Sequence, residues 1–247
     1  MWKGILVAVV QWGQKFVRIL LDLLYPPVCV GCGQVGTTYC RSCRDAVLFV
    51  APPLCPLCGR PQETSKLCSR CAHHPFELDG IRSVAFFEGA LRKAIHRFKY
   101  NYARELAIPL GDMLVHFWRQ APLEADLIVP VPLHARRLRE RGYNQSALLA
   151  GYLGQAVGIP VAGDVLYRNR YTRSQAQLNA AERSQNVEGA FSCNGSGVQG
   201  RHVLLVDDVC TTGSTLDACS VALKEGGAVS VWALTLARAD STDHHHT

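Results

Sequence analysis

The chain predicts an α/β fold: a mainly parallel sheet flanked by helices, preceded by a small cysteine-rich module and an amphipathic helix. Three observations carry this. From Phe76 onward, short apolar β-branched runs alternate with longer amphipathic stretches, the pattern of strands joined by helices into a parallel sheet. One run, Val203-Leu-Leu-Val-Asp-Asp-Val-Cys-Thr-Thr-Gly-Ser-Thr215, passes from a strand through a small hydroxyl-rich loop into a helix. Eight of the eleven cysteines lie between Cys29 and Cys71, in four C-x-x-C pairs.

A chain of 247 residues can bury a large core in one or two domains. Its 48% hydrophobic and 19% charged content excludes a disordered protein. The formal charge is +6. Two zinc ions on eight thiolates would lower it to about +2, so nucleic-acid arguments must rest on local patches rather than on overall charge.

Met1 to Leu24 is apolar, but Gln11, Gln14, Lys15, Arg18 and Asp22 recur at helical spacing as one polar stripe. That stripe interrupts the run of roughly 20 apolar residues a membrane span needs. An amphipathic helix is predicted over residues 1–26, packed on its own protein or making peripheral contact with a membrane or partner. No transmembrane segment is expected, and Pro26-Pro27 stops the helix.

Residues 27–75 form the cysteine module. C-x-x-C spacing is metal-ligand spacing rather than a disulfide framework, and thiolate ligands favour the cytoplasm. Zinc takes four ligands in a tetrahedron, so two knuckles make one site and the module reads as a double zinc ribbon with two structural ions. A sequential pairing puts Cys29, Cys32, Cys40 and Cys43 on one ion and Cys55, Cys58, Cys68 and Cys71 on the other; an interleaved pairing fits the spacing too. Arg41, Arg44, Arg60, Lys66 and Arg70 around the knuckles suit either phosphate contacts or a solvated surface.

Residues 76–240 form the α/β domain. Strands are predicted at Ile81–Phe87, Asp126–Val131, Val161–Arg168, Val203–Val206 and Ala228–Leu236. Helices are predicted at Leu91–Tyr100, Leu106–Trp118 and Ser146–Val157. Another follows Thr215, with Leu216, Cys219, Val221, Ala222 and Leu223 inward. Asn194-Gly-Ser-Gly197 is a turn, and residues 241–247 are a flexible tail.

In such a sheet, ligands collect at the carboxyl ends of the strands. Asp207 and Asp208 at a strand end suit sugar hydroxyls. Thr211, Thr212, Gly213, Ser214 and Thr215 lead into a helix N-terminus, which suits a phosphate. Together they predict a ribose-5-phosphate site. The arginine-rich loop Pro132–Gln145 should face the same crevice, where Arg136, Arg137, Arg139 and Arg141 can meet a pyrophosphate. Cys193, Cys210 and Cys219 lack C-x-x-C partners and read as buried or free thiols.

The stretch 203–215 resembles the phosphoribosyl-pyrophosphate (PRPP) signature of type I phosphoribosyltransferases. Leu127-Ile-Val-Pro-Val-Pro-Leu133, Arg141-Gly-Tyr-Asn-Gln145, Tyr25-Pro-Pro-Val-Cys29, Lys99-Tyr100 and Arg173-Ser-Gln-Ala-Gln-Leu178 are similar to one branch, the ComF family of competence-associated proteins. The resemblance runs from the amino-terminal helix to about Arg238. It implies that Asp207 and Asp208 hold the ribose, that residues 211–215 hold the 5-phosphate, and that the loop with His134, Arg136, Arg137 and Arg141 meets pyrophosphate. Mg²⁺ would accompany PRPP. Arg168 to Arg183, with Arg173, Gln175 and Gln177, occupies the place of a catalytic lid, or else is a short helix between strands. The implied reaction is pentosyl transfer from PRPP with pyrophosphate release. Purine-type enzymes carry an acid where Thr211 stands, so no general base is evident. The other implied class is a non-catalytic factor that binds single-stranded nucleic acid or senses PRPP. Its partners would be single-stranded DNA and DNA-uptake proteins.

Overall fold

A computed structural model describes residues 26–100, 102–170 and 189–239. The predicted amino-terminal helix, the tail, and Arg173, Gln175 and Gln177 lie outside the described residues.

Four strands form a parallel sheet in the order β1-β6-β5-β2: β1 Gly80–Phe86, β2 Leu127–Pro130, β5 His202–Cys210 and β6 Ser230–Arg238. Val203 to Val206 are fully buried because both faces of the sheet are covered. Leu204 and Val206 face one core cluster with helices α3 (Gly89–Tyr100), α4 (Ala107–Gln120) and α6 (Gln145–Val157). Val203 and Leu205 face a second cluster with α7 (Ser214–Glu225). The predicted architecture is therefore observed.

Several elements differ from expectation. The strand predicted over 161–168 is not part of the main sheet. Val161 makes only a lone parallel bridge to Ile128, while β3 (Leu166–Arg168) pairs antiparallel with β4 (Phe191–Cys193) in a separate two-stranded sheet. The β4 run is three residues long, too short for its periodicity to be read. The arginine-rich loop contains a helix, α5 (Ala135–Arg141). His134 accepts from the Arg136 N–H at 3.2 Å to cap its start, and Gly142, at φ 76°, ends it. Helix α6 is capped by Asn144, whose side-chain oxygen accepts from the Ser146 N–H at 3.0 Å. Val221, expected inward, is exposed.

The cysteine module holds two short helices, α1 (Arg41–Asp45) and α2 (Ser69–His73), and packs on the outer edge of β1. Val50 N–H donates to Val84 at 3.0 Å, Phe86 N–H to Leu48 at 2.9 Å, and Ile81 N–H to Leu57 at 2.7 Å. An edge strand otherwise presents unpaired backbone groups; here the module satisfies them. At Gly59, φ +67°, a Cβ would lie 2.2 Å from the Ile81 carbonyl oxygen, so only glycine permits this approach.

Candidate functional site

The sheet opens a pocket because β5 outruns β2. Pro130 lies opposite Val206, and the last bond between the strands runs from Val131 N–H to the Val206 carbonyl, at 3.0 Å. Beyond it β5 continues on β6 alone, with Asp207 opposite Thr235 and Cys210 opposite Arg238. The two carboxylates thus lie within the strand rather than after it. The freed edge of β5 faces a cavity of about 420 Å³. Asp207, Asp208, Thr211, Gly213 and Thr215 line it from the β5–α7 connection. Arg137 and Arg141 line it from α5, Arg168 from β3, and Lys99 from α3.

Asp207 accepts from the Ser146 hydroxyl at 2.7 Å and from the Asp208 N–H at 2.9 Å. Burial, and then the neighbouring Asp208 carboxylate, push its carboxyl up to about 6. Asp208 is 3% exposed. Its Oδ1 lies 2.9 Å from Lys99 Nζ, while its Oδ2 is buried with no hydrogen-bond partner among the described residues. A buried acceptor left unpaired is unfavourable, and a ligand hydroxyl or a cation would satisfy it.

The loop turns at Gly213, φ +85°, which precedes the first turn of α7. A Cβ at Gly213 would stand 3.0 Å from Phe76 and 3.1 Å from Ile81. The Thr212 and Ser214 hydroxyls lie 2.9 Å apart and bond to each other, so they brace the loop. The first-turn N–H groups have no carbonyl four residues back, and the helix dipole favours an anion there.

Arg141 donates to Gln145, and its guanidinium stands 5.2 Å from the Tyr100 ring centre. Burial, followed by the nearby Arg137, pushes Arg168 below the ordinary arginine value. Two guanidinium groups held close together and partly desolvated favour an anion between them. His134 and Arg136 are not among the residues lining the cavity; His134 caps α5, and Arg136 pairs with Glu140 at 2.9 Å. Cys210 lines the cavity, but burial pushes its thiol up to about 11, so it is not a thiolate nucleophile at neutral pH.

Lys99 and Ser146 are site residues to which sequence reasoning gave no role, while Arg168 falls in the expected lid segment and is found instead as a wall of this cavity. Lys99 ends a basic helix in which several cations look alike. Ser146 reads locally as a helix cap. Arg168 sits on a three-residue strand whose position depends on distant pairing.

The sulfurs of Cys29, Cys32, Cys40 and Cys43 lie within 4.8 Å of one another, as do those of Cys55, Cys58, Cys68 and Cys71. The grouping is sequential, not interleaved. Sulfur–sulfur separations are 3.7 Å (Cys29–Cys43), 3.6 Å (Cys32–Cys40) and 3.7 Å (Cys58–Cys68). A tetrahedral zinc with Zn–S bonds of about 2.3 Å needs sulfurs about 3.8 Å apart. Backbone N–H groups of Cys40 and Cys68 point at Cys29 Sγ (3.3 Å) and Cys55 Sγ (3.5 Å), as suits thiolate acceptors. The donor sets therefore fit two structural zinc ions, with no coordination position left for water. No helix among the described residues is long and apolar enough to cross a membrane.

Fold and site together define a phosphoribosyltransferase-like protein behind a double zinc ribbon. The double zinc ribbon domain matches residues 20–72 and the phosphoribosyl transferase domain matches residues 138–246. The chain is 38% identical to DNA utilization protein YhgH of Escherichia coli (strain K12) over 189 residues, 73% of this chain and 83% of that one. It is 31% identical to Competence protein ComFC of Bacillus subtilis (strain 168) over 207 residues, 81% and 83% of the two chains. It is 33% identical to Competence protein F of Haemophilus influenzae over 208 residues, 81% and 90%. The chain belongs to this ComF/YhgH family.

Proposed function

We propose that this chain binds PRPP and acts in the uptake or utilisation of external DNA. The observation that supports PRPP is the meeting, in one cavity at the strand ends, of a carboxylate pair and four arginines, three of them (Arg137, Arg141 and Arg168) on α5 and β3. One carboxylate oxygen there is buried with no partner among the described residues. Asp207 and Asp208 accept the ribose hydroxyls. The 211–215 loop takes the 5-phosphate at the α7 N-terminus, and Arg137, Arg141 and Arg168 neutralise the pyrophosphate. Mg²⁺ bound with PRPP would supply counter-charge to its phosphates, and Asp207 and Asp208 are the carboxylates that could help hold it. The DNA role is supported by the names of the relatives, which are competence and DNA utilization proteins.

Calorimetric titration with PRPP and Mg²⁺ tests the reading. The wild type should give saturable heat, and Asp208→Asn should weaken binding by at least about tenfold, the effect of losing one charged hydrogen bond. Absence of heat from the wild type refutes it.

A second reading is a non-catalytic nucleic-acid-binding factor. It is favoured by the outer face of α3, where Arg92, Lys93, His96, Arg97 and Tyr100 are all exposed beside the cavity. Cations interleaved with rings suit a single strand, with phosphates on the cations and bases on the rings. Titrating the same proteins with a single-stranded oligonucleotide at two salt concentrations separates the readings. Salt-dependent binding without PRPP heat would favour the second.

A further inference from the structure

A buried guanidinium lies between the second cysteine centre and the sheet. Arg238 ends β6 and is 3% exposed. Its Nη1 donates to the Cys58 carbonyl at 3.2 Å. Among the described residues its buried Nε has no hydrogen-bond partner and no ion pair includes it. A cation taken out of water without a counter-charge is strongly unfavourable, so something must compensate it.

The cysteine centre is a source of negative charge beside it, reached through the Cys58 backbone. Cys55 and Cys58 are buried, and four thiolates on one zinc carry a net charge of about −2. A second arginine is turned the same way. Arg82 Nη1 donates to the Pro56 carbonyl at 3.0 Å, between the ligands Cys55 and Cys58.

The same centre touches the phosphate loop by two routes. Arg238 is in register with Cys210, and Ala239 N–H donates to the Cys210 carbonyl at 2.9 Å, one residue before Thr211. Phe76 packs with the cluster of Cys55, Cys58 and Cys71, and lies against Gly213.

We infer that the second cysteine centre, loaded with zinc, is the counter-ion of Arg238, and that this pairing holds the 211–215 loop in its phosphate-binding form. The second clause rests on the PRPP reading; the first does not. Arg238 is a positioning residue in this scheme, since it reaches the ligand only through β5 and the loop. The first cysteine centre, without a buried arginine of this kind, has a purely structural part.

The two-zinc protein is challenged with a chelator, and zinc per chain is counted by native mass spectrometry for wild type, Arg238→Met and Arg238→Lys. In Arg238→Met one ion should leave about tenfold faster than in the wild type while the other keeps its rate, the usual scale for losing a supporting group around a metal. Arg238→Lys, which keeps the charge, should fall nearer the wild type. Wild-type release of both ions from Arg238→Met overturns the counter-ion assignment. Should Arg238→Met not fold, amide exchange on the wild type decides. Loss of one zinc should raise exchange at 55–60 and 235–239 together, and unchanged exchange at 235–239 overturns the proposal. In parallel, one-zinc protein lacking the second ion should bind PRPP about tenfold more weakly, and equal affinity overturns the link to the loop. If no form binds PRPP, the PRPP reading fails, while zinc release still judges the counter-ion.

Discussion

Removing Lys99 tests how the pocket stores charge. The Lys99 side chain is 22% exposed and that of Asp208 4%, and the charged groups stand 2.9 Å apart. Asp208 Oδ2 already lacks a partner among the described residues. Lys99→Met keeps the aliphatic stem but leaves a buried carboxylate with no cation at ion-pair distance among the described residues. Breaking a buried pair from that side is expected to cost about 3–5 kcal/mol. Asp208→Asn should cost less, about 1–2 kcal/mol, because the ammonium can turn into the open cavity and be hydrated. The double variant should then be more stable than Lys99→Met by roughly 2 kcal/mol, since a neutral amide is easier to bury than an unpaired carboxylate. Urea unfolding with zinc kept saturating reads this directly, provided the slopes agree so that midpoints report stability. A Lys99→Met protein within about 0.5 kcal/mol of wild type, or strictly additive losses in the double variant, would refute the buried-pair argument. The contact would then be an ordinary screened one.

Two further outcomes follow from the geometry. Burial and the Asp208 charge raise the Asp207 carboxyl from 3.8 to about 6, so the folded state favours its protonated form. Its contribution is therefore greatest below pH of about 4 and is lost as pH rises to about 6, a fall of roughly 2–3 kcal/mol relative to Asp207→Asn. Comparing urea curves of the two proteins across that window cancels the acid loss of zinc common to both, and parallel curves would count against the assignment. Gly59→Ala puts a Cβ 2.2 Å from the Ile81 carbonyl, at φ +67°. It should cost more than about 2 kcal/mol and make the cysteine module more susceptible to limited proteolysis, whereas unchanged protease resistance would show that the docking tolerates a shift.

What the sequence made legible was local. The strand–loop–helix of 203–215 and the four C-x-x-C pairs are contiguous, so spacing alone carries their chemistry. The alternation of strands and helices predicts a parallel sheet because few other topologies bury such runs. What stayed hidden depends on partners far along the chain. The sequential grouping of the cysteines became visible only when their sulfurs were placed. Docking of the module on β1 rests on backbone bonds such as Ile81 to Leu57. Helix α5 was hidden in part by its arginines, which read as anion-binding side chains although most are also good helix formers.

The pocket itself shows why a motif and a site are not the same thing. In sequence, Asp207 and Asp208 look like the end of a strand, because the apolar run stops at Val206. In the structure β5 runs on to Cys210, because β6 still pairs with it at Asp207, Val209 and Cys210. Only β2 stops, at Pro130, so the polar residues of β5 have a paired edge and an open edge. A strand continued past its neighbour is rigid where a loop would not be. It therefore holds Asp207 against Ser146 and Asp208 against Lys99 before any ligand arrives. This preorganisation depends on β2 stopping and β6 continuing as well as on the motif residues themselves. Extending β2 by pairing, or loosening β6 at Arg238, should therefore disturb binding as much as changing a motif residue would.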